Sequence, residues 1–325
     1  MSQRVLVTGG AGFIGSHVCD QFLASGWTVD VIDNLSSGKR ANLSPEATLH
    51  VCDIRSEEAA GIVADGKFDA LVHLAAQIDV RKSVDDPQFD ASVNILGTLN
   101  LLEALRKSGR GPSTRVAFSS TGGAIYGDFT KPPTSEATPK DPDSPYGIAK
   151  LCVEHFLAYY TRIQKFDTVA VRFGNVYGPR QDPHGEAGVI AIFCGRILAG
   201  RPLTIFGDGT ATRDYVHVSD VASALFRVAT GPLPKAERLD SRAFNVGTGV
   251  ATSVNELART LLDVADADVA IEHAPARAGE LQESCLSVDK ARDVLEWTPQ
   301  MSLADGLANT FAWAAGNTPQ ATAHT

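Results

Sequence analysis

Apolar side chains follow two different spacings at the start of the chain. Residues 4–8 form a short apolar run, residues 12–25 carry apolar side chains at helical spacing until Gly26, and residues 28–32 form a second run. Short continuous apolar runs are typical of buried strands, and a period of about 3.6 residues is typical of an amphipathic helix. The pattern therefore predicts a β–α–β unit.

The same alternation continues through the first half of the chain. Further strand-like runs cover residues 70–74, 116–118 and 169–171, and helical stretches cover residues 93–107 and 146–163. Strands that alternate with helices build parallel sheets whose two faces are covered by the helices. We therefore predict an α/β fold, with a Rossmann-type doubly wound parallel sheet in residues 1–174.

The regular pattern gives way to polar stretches rich in Gly and Pro in the second half of the chain. We predict a smaller C-terminal lobe from residues at about 175–213 and 261–313. Between these parts the chain is expected to return to the sheet domain at about 214–230 and 244–260. Residues 318–325 are predicted to form a disordered tail.

Composition and charge narrow the class of partner. The chain has 325 residues, of which 44% are hydrophobic and 21% charged, and its net charge is -9. Such a charge repels nucleic acid and anionic membranes, so an anionic ligand needs a local cationic pocket. We expect neither nucleic acid nor a membrane as a partner.

The cysteines and the apolar stretches indicate a compartment. The five cysteines show no short spacing and no cluster with metal-ligand spacing, which indicates free thiols in a reducing environment and no metal. The start of the chain does not read as a secretory leader, and the apolar stretch at 188–200 contains Arg196 and is too short to span a bilayer. We expect a cytoplasmic protein.

A glycine-rich segment joins the first predicted strand to the first predicted helix. It places Gly9, Gly12 and Gly15 within residues 8–15. Glycines in this position permit a tight turn, bring backbone close to a pyrophosphate and let the helix pack on the strand, while the helix N-terminus attracts the phosphates. Since a strand precedes the motif and a helix follows it, we predict a dinucleotide site.

The acidic residue that ends the second predicted strand indicates which dinucleotide binds. Asp33 lies 18 residues after Gly15, where a carboxylate accepts hydrogen bonds from the adenosine ribose and repels a 2′-phosphate. This favours NAD over NADP, although Lys39 and Arg40 leave NADP open. Asp53, after the third strand, has two interpretations, a contact to the adenine amino group or a turn residue.

A second motif supplies a reactive side chain. Ser144 and Pro145 are good N-cap and first-turn residues, and Tyr146 and Lys150 then lie one helical turn apart on the same face. A lysine ammonium and an oxidised nicotinamide both stabilise a phenolate, whose ordinary pKa is about 10. Tyr146 is therefore a candidate general base for a sugar hydroxyl.

With these motifs, the sequence resembles the extended short-chain dehydrogenase/reductase family, and within it the nucleotide-sugar epimerase/dehydratase branch. The resemblance covers residues 5 to about 311. The matching motifs are residues 8–15, 73–76, Asn94, Tyr146 with Lys150, 175–180, 212–218, 244–247 and 297–299.

The resemblance implies roles for individual residues. It implies NAD contacts from Phe13, Ile14, Asp33, Asn34, Asp53, Ile54, Leu74, Ala75, Asn94, Tyr146 and Lys150. It implies nucleotide-sugar contacts in the smaller lobe from Asn175, Arg213, Arg277 and Glu280. The two arginines would clamp the diphosphate and Glu280 would accept from the uridine ribose. A hydroxyl that follows the strand-like run at 116–118 would assist Tyr146; Thr121 is favoured, with Ser120 as the alternative.

The resemblance also implies a reaction and an assembly. It is strongest to members that invert C4 of UDP-glucose and UDP-galactose: Tyr146 takes the O4 proton, NAD takes the C4 hydride, and the 4-keto sugar turns before hydride returns. Dehydratases of the branch carry adjacent carboxylates where this chain has Gly122, Gly123 and Ala124. A homodimer paired through two helices of each subunit, one following Tyr146, is implied too.

Substrate breadth leaves alternatives. Ser284 stands where relatives restricted to non-acetylated sugars carry a Tyr, which predicts room for an N-acetyl group and activity on N-acetylated UDP-sugars. Epimerisation of UDP-N-acetylglucosamine alone, or of UDP-glucuronate, is an alternative, although only His184 offers a cation near residues 185–192. A catalytically silent NAD-sensing protein on the same fold is the alternative of another class.

Overall fold

The computed structural model describes residues 2–128, 130–183, 188–276 and 281–317. The strands are β1 (Arg4–Thr8), β2 (Thr28–Asp33), β3 (Thr48–Val51), β4 (Ala70–His73), β5 (Arg115–Thr121), β6 (Asp167–Phe173), β7 (Asn175–Tyr177), β8 (Leu203–Phe206), β9 (Thr212–Arg213), β10 (Tyr215–His217), β11 (Ala243–Val246), β12 (Thr252–Ser253) and β13 (Ile271–Ala274). The helices are α1 (Phe13–Ala24), α2 (Glu57–Asp65), α3 (Val80–Asp85), α4 (Pro87–Ala91), α5 (Thr98–Lys107), α6 (Pro145–Gln164), α7 (Val189–Leu198), α8 (Val218–Thr230), α9 (Val254–Ala265), α10 (Asp289–Leu295) and α11 (Leu303–Asn317).

A parallel sheet of seven strands forms the centre of the fold, in the order β11-β6-β5-β4-β1-β2-β3. Val5 of β1 is paired with Val29 of β2 on one side and with Ala70 of β4 on the other. Every residue of β4 is buried, as expected for a strand covered on both faces. The predicted Rossmann-type doubly wound sheet is confirmed.

Helices cover the two faces of this sheet with separate apolar clusters. On one face, Phe22 of α1 and Leu225 of α8 pack against the sheet strands. On the other face, Leu101 of α5 and Val153 and Leu157 of α6 do the same. The carboxyl ends of the parallel strands meet at one edge of the sheet, and the loops that follow them are where ligands bind in folds of this class.

A third apolar cluster lies apart from the sheet. It joins α7, α9 and α11 with β8 and β13, and it includes Phe193, Leu257 and Leu307. The sequence analysis expected residues 244–260 with the sheet; β11 does join it, whereas α9 buries its apolar stripe against α7 and α11. Conversely, Trp297 packs with the sheet cluster. The boundaries of the two lobes stay a prediction.

No described helix is long and apolar enough to cross a bilayer. Among the described residues, no three or more His, Cys, Asp and Glu side chains are grouped so that they could hold a metal ion. The predicted tail at 318–325 lies outside the described residues.

Candidate active site

The glycine-rich turn after β1 leaves room for a phosphate group. Gly9 has a φ of +70°, and a Cβ on Gly15 would lie 2.1 Å from the Gly9 carbonyl oxygen, so neither position tolerates a side chain. A Cβ on Gly12 would meet, among the described atoms, only that same oxygen, at 3.2 Å. Since Gly12 has no side chain to cap α1, the first amides of α1 face the space beside the turn.

Asp33 lies beside this turn at the carboxyl end of β2. Its side chain is buried, with Oδ2 accepting from the Ala11 amide at 3.0 Å and Oδ1 from the Leu35 amide at 2.8 Å. Each carboxylate oxygen keeps a second lone pair for a ribose hydroxyl. Lys39, one of the two cations that kept NADP open, has its ammonium 3.1 Å from Asp182.

Asn34 and Asp53 come together at the ends of β2 and β3. The Asn34 amide lies 3.5 Å from Asp53 Oδ2. Arg55, which the sequence analysis missed, donates to Asp53 through Nε at 2.9 Å and through its terminal nitrogen at 2.8 Å. Hydrogen bonding to Arg55 lowers the pKa of Asp53 to about 2, so this carboxylate is ionised and able to accept at neutral pH. Ile54 beside it is buried.

The ends of β1 and β4 are tied together by one buried hydroxyl. Thr8 Oγ1 lies 2.6 Å from His73 Nδ1 and accepts from the amides of Leu74 and Ala75, each at 3.2 Å. Nε2 of His73 lies 2.8 Å from the hydroxyl of Thr98. Burial lowers the pKa of His73 to about 3, so the imidazole is neutral and structural. This arrangement holds Leu74 and Ala75 against the glycine turn.

Asn94 lies in a π-helical turn, Ser92–Gly97, that precedes α5. Its Oδ1 accepts from the Gln77 amide at 2.9 Å, and its Nδ2 donates to the Gln77 carbonyl and to Asp90 Oδ1, each at 3.0 Å. The side chain therefore anchors the loop after β4. Asp90, which no sequence motif indicated, is part of the same cluster.

Tyr146 and Lys150 lie on the inner face of α6, near its beginning. Ser144 caps this helix by accepting from the Gly147 amide at 3.1 Å. Lys150 is 3% exposed; its ammonium donates to the Ser119 carbonyl at 2.9 Å and lies 5.7 Å from the centre of the Tyr146 ring. The helical spacing thus places the ammonium against the phenol.

Burial sets the charge of both groups. It lowers the pKa of Lys150 to about 8, and the carboxylates of Asp90 and Glu154 partly oppose this shift. Burial also raises the pKa of Tyr146, and the Asp90 carboxylate raises it further. The phenol is therefore protonated in the protein alone and needs an additional nearby cation to act as a base.

The two hydroxyls at the end of β5 have different surroundings. Ser120 donates to Glu154 Oε1 at 2.6 Å, and Glu154 is paired with the fully buried Arg172. Thr121 Oγ1 accepts from the Ala124 amide at 3.2 Å, which leaves its proton available to a ligand. Sequence reasoning did not include Glu154 or Arg172, because each is remote in sequence from β5.

Two of the expected substrate contacts lie side by side. Arg213 lies on β9, and the Ser284 amide donates to the carbonyl of its neighbour Thr212 at 3.1 Å. Asn175 begins β7, and its amide donates to the Asp214 carbonyl at 2.7 Å. Arg277, Glu280 and His184, which the sequence analysis singled out, lie outside the described residues.

Residues 5–247 match the model of the NAD dependent epimerase/dehydratase family. A UDP-glucose 4-epimerase of Mycolicibacterium smegmatis is 46% identical over 94% of this chain and 97% of its own.

Two solved structures share the fold over nearly the whole length of both chains. A Thermus thermophilus UDP-glucose 4-epimerase in complex with NAD superposes with a TM-score of 0.87 at 40% identity, covering 97% of this chain and 100% of its own. A UDP-N-acetylglucosamine 4-epimerase of Methanobrevibacter ruminantium, in complex with UDP-N-acetylmuramic acid, gives a TM-score of 0.89 at 31% identity, covering 98% and 99%.

Proposed function

Because the chain belongs to the NAD-dependent epimerase/dehydratase family, we propose that it interconverts UDP-glucose and UDP-galactose by inversion at C4. The observation that carries the proposal is the position of the Lys150 ammonium, 5.7 Å from the centre of the Tyr146 ring. The Thr121 hydroxyl lies at the end of β5, the strand on which α6 packs. This activity would belong to galactose metabolism.

The residues present fit NAD. The turn at Gly9, Gly12 and Gly15 leaves backbone amides and open space where a pyrophosphate needs them, and Asp33 offers free lone pairs where a ribose needs them. Asn34, Asp53 and Ile54 follow the adjacent strands β2 and β3 and would contact the adenosine from there. When bound, NAD would serve as the acceptor of a hydride from the sugar carbon and as the donor that returns it.

The side chains of the protein handle the proton. Tyr146 would accept the O4 proton when the sugar is oxidised and return it when the sugar is reduced, so each cycle leaves the site as it began. Thr121 would donate a hydrogen bond to O4, and Lys150 would stabilise the phenolate through its positive charge. The positive nicotinamide ring would provide the further cation that the raised pKa of Tyr146 requires.

The segment after β5 favours epimerisation over dehydration. Loss of water from a sugar needs an acid and a base beside the carbon atoms that lose it, and Gly122, Gly123 and Ala124 carry no ionisable group. Arg213, together with Arg277 and Glu280, would hold the nucleotide, and Asn175 would contact it from β7. The local arginines offset the net charge of -9 for a diphosphate ligand.

The N-acetylated UDP-sugars are a second group of substrates that one observation favours. Ser284 is small and lies beside β9, the strand that carries Arg213, the proposed diphosphate contact. A structural neighbour that shares nearly the whole fold is a UDP-N-acetylglucosamine 4-epimerase. Both findings support room for an acetamido group.

An outer face of α6 supports the assembly of two copies into a homodimer. Ile148, Tyr159 and Ile163 are 53%, 43% and 63% exposed and lie on one side of that helix. Leu96, on the neighbouring π-helical turn, is 60% exposed. Large apolar side chains grouped on one surface favour burial against a partner. Light scattering gives the molar mass in solution, and we expect the mass of two chains for the wild type and of one chain for Ile163→Glu.

All five cysteines are free thiols, which supports a reducing, cytoplasmic setting.

Turnover without added cofactor is the direct test of the reaction. Purified protein is incubated with UDP-glucose, and the products are separated by chromatography; we expect UDP-galactose to accumulate to a constant ratio. Tyr146→Phe keeps the ring but removes the hydroxyl, so it should slow exchange by about 10²-fold or more. A protein that retains NAD and leaves UDP-glucose unchanged would contradict the proposed function.

A further inference from the structure

Asp90 on α4 is a buried carboxylate with one oxygen unaccounted for. The residue is 1% exposed. Its Oδ1 accepts from Gln77 Nε2 at 2.9 Å and from Asn94 Nδ2 at 3.0 Å, whereas the buried Oδ2 has no hydrogen-bond partner within the described ranges. Since a buried polar atom without a partner costs free energy, its retention needs a physical reason.

The surroundings of Asp90 place its charge in the active site. Gln77 and Asn94, which hold Oδ1, belong to the loop and the turn that flank the cofactor side of β4. α4 packs directly against α6, the helix that carries Tyr146 and Lys150. Burial raises the pKa of Asp90, whereas the hydrogen bonds from Gln77 and Asn94 and the charge of Lys150 favour its ionised form. The negative charge of Asp90 in turn raises the pKa of both Tyr146 and Lys150.

The other ionisable groups around this pair are neutral, paired or exposed to solvent. Glu154 on α6 is held by Arg172 through two hydrogen bonds, and the imidazole of His73 on β4 is neutral. The charged residues of α3, which also packs against α6, are exposed: Arg81, Lys82 and Asp85. Among the described residues around the pair, Asp90 is thus the buried carboxylate that no arginine or lysine contacts directly.

We propose that Asp90 is the counter-charge of the Tyr146–Lys150 pair. Its negative charge keeps the buried Lys150 ammonium protonated. With Lys150 charged, Tyr146 is able to exchange a proton with a sugar hydroxyl. An ammonium removed from water loses its hydration, and a nearby carboxylate compensates part of that loss. The unpartnered Oδ2 is then retained for its charge rather than for a hydrogen bond. The role at the sugar rests on the proposed function, whereas the electrostatic coupling does not.

Asp90→Asn isolates the charge from the shape. Asparagine keeps an oxygen at Oδ1 for Gln77 and Asn94 and replaces only the unpartnered Oδ2, so all the described hydrogen bonds can remain. Asp85→Asn, at an exposed position on α3, is the matched control. Asp90→Ala is the second charge-removing variant, since the Gln77–Asn94 bonds persist without Asp90.

The measurement is a pH titration of tyrosinate absorbance on the NAD-loaded protein, with Tyr146→Phe subtracted to isolate the signal of Tyr146. Removing a nearby negative charge makes proton loss easier for both members of the pair, so Asp90→Asn should lower the midpoint by about one pH unit or more. Asp85→Asn should titrate with the wild type.

Two results overturn the proposal: a midpoint in Asp90→Asn and Asp90→Ala equal to that of the wild type, or an equal shift in Asp85→Asn. The rate of exchange between UDP-glucose and UDP-galactose is measured on the same samples. A shifted titration in a protein that exchanges neither sugar would contradict the proposed function and still support the counter-charge.

Discussion

The hydroxyl of Ser120 donates a 2.6 Å hydrogen bond to Glu154, while the hydroxyl of its neighbour Thr121 accepts from the Ala124 amide and donates to no described residue. Thr121→Val should therefore lower kcat by about 10²-fold, because the hydrogen bond to the substrate is lost. Ser120→Ala should leave kcat within a few-fold and reduce the free energy of unfolding by about 1–3 kcal/mol. Steady-state kinetics and urea unfolding of the two variants separate the roles. The reverse pattern would make Ser120 the catalytic hydroxyl.

Asp33 should determine the preference for NAD. In Asp33→Asn the side chain loses its charge and one of the two oxygens that accept from the amides of Ala11 and Leu35. The affinity for NAD should therefore fall about 10-fold or more, and the ratio of NADP affinity to NAD affinity should rise. Calorimetric titration of both dinucleotides into protein freed of cofactor measures the ratio. Lys39→Ala is the control: its pair with Asp182 is exposed, and affinity should change less than about five-fold. An unchanged ratio in Asp33→Asn would remove Asp33 from the cofactor site.

Ser284 should control the size of the sugar substituent. We expect the wild type to act on UDP-N-acetylglucosamine as well as on UDP-glucose. Ser284→Tyr should lower the ratio of turnover on the acetylated sugar to turnover on UDP-glucose, because the ring fills the space of the acetyl group. Ser284→Ala should keep both activities. The prediction is wrong if the tyrosine variant keeps the ratio, or if the wild type does not act on the acetylated sugar.

His73 should make the protein less stable in acid. Burial lowers its pKa from 6.5 to about 3, so the unfolded chain binds a proton in this pH range that the folded protein does not. Above pH 6.5 this difference has no effect on the free energy of unfolding. Below pH 6.5 the free energy of unfolding should fall by about 1.4 kcal/mol for each pH unit, until the pH reaches the pKa of His73 in the folded protein. Urea unfolding between neutral and mildly acidic pH should show a weaker pH dependence for His73→Gln than for the wild type. His50→Gln, a partly exposed histidine, controls for the loss of any imidazole; equal slopes in His73→Gln and the wild type would contradict the prediction.

Local spacing explains what could be predicted from the sequence. The glycine turn depends on residues within one loop, and the placement of Tyr146 beside Lys150 depends on one helical turn, so both follow from neighbouring positions. The parallel sheet follows from the alternation of strands and helices, although the apolar stripe of α9 does not say which cluster it joins. The packing of α7 and α11 settles that.

Other parts of the site depend on contacts between distant residues. Glu154 and Arg172 read as ordinary charged residues in a helix and a strand, and only the packing of α6 on β5 and β6 brings both against Ser120. Asp90 reads as an exposed helix residue until Gln77 and Asn94 enclose it. No spacing rule relates these positions, because tertiary packing alone makes them neighbours.

Helix α6 extends over 20 residues, or about 30 Å, and several parts of the protein depend on it at once. Its inner face carries Tyr146 and Lys150, and its outer face carries Ile148 and Ile163. Both faces belong to one helix, whose turns are connected by backbone hydrogen bonds. A displacement of one face therefore also displaces the other. A crosslink or insertion that shifts the outer face of α6 would therefore also shift Tyr146, the proposed base, although no residue beside the phenol is changed.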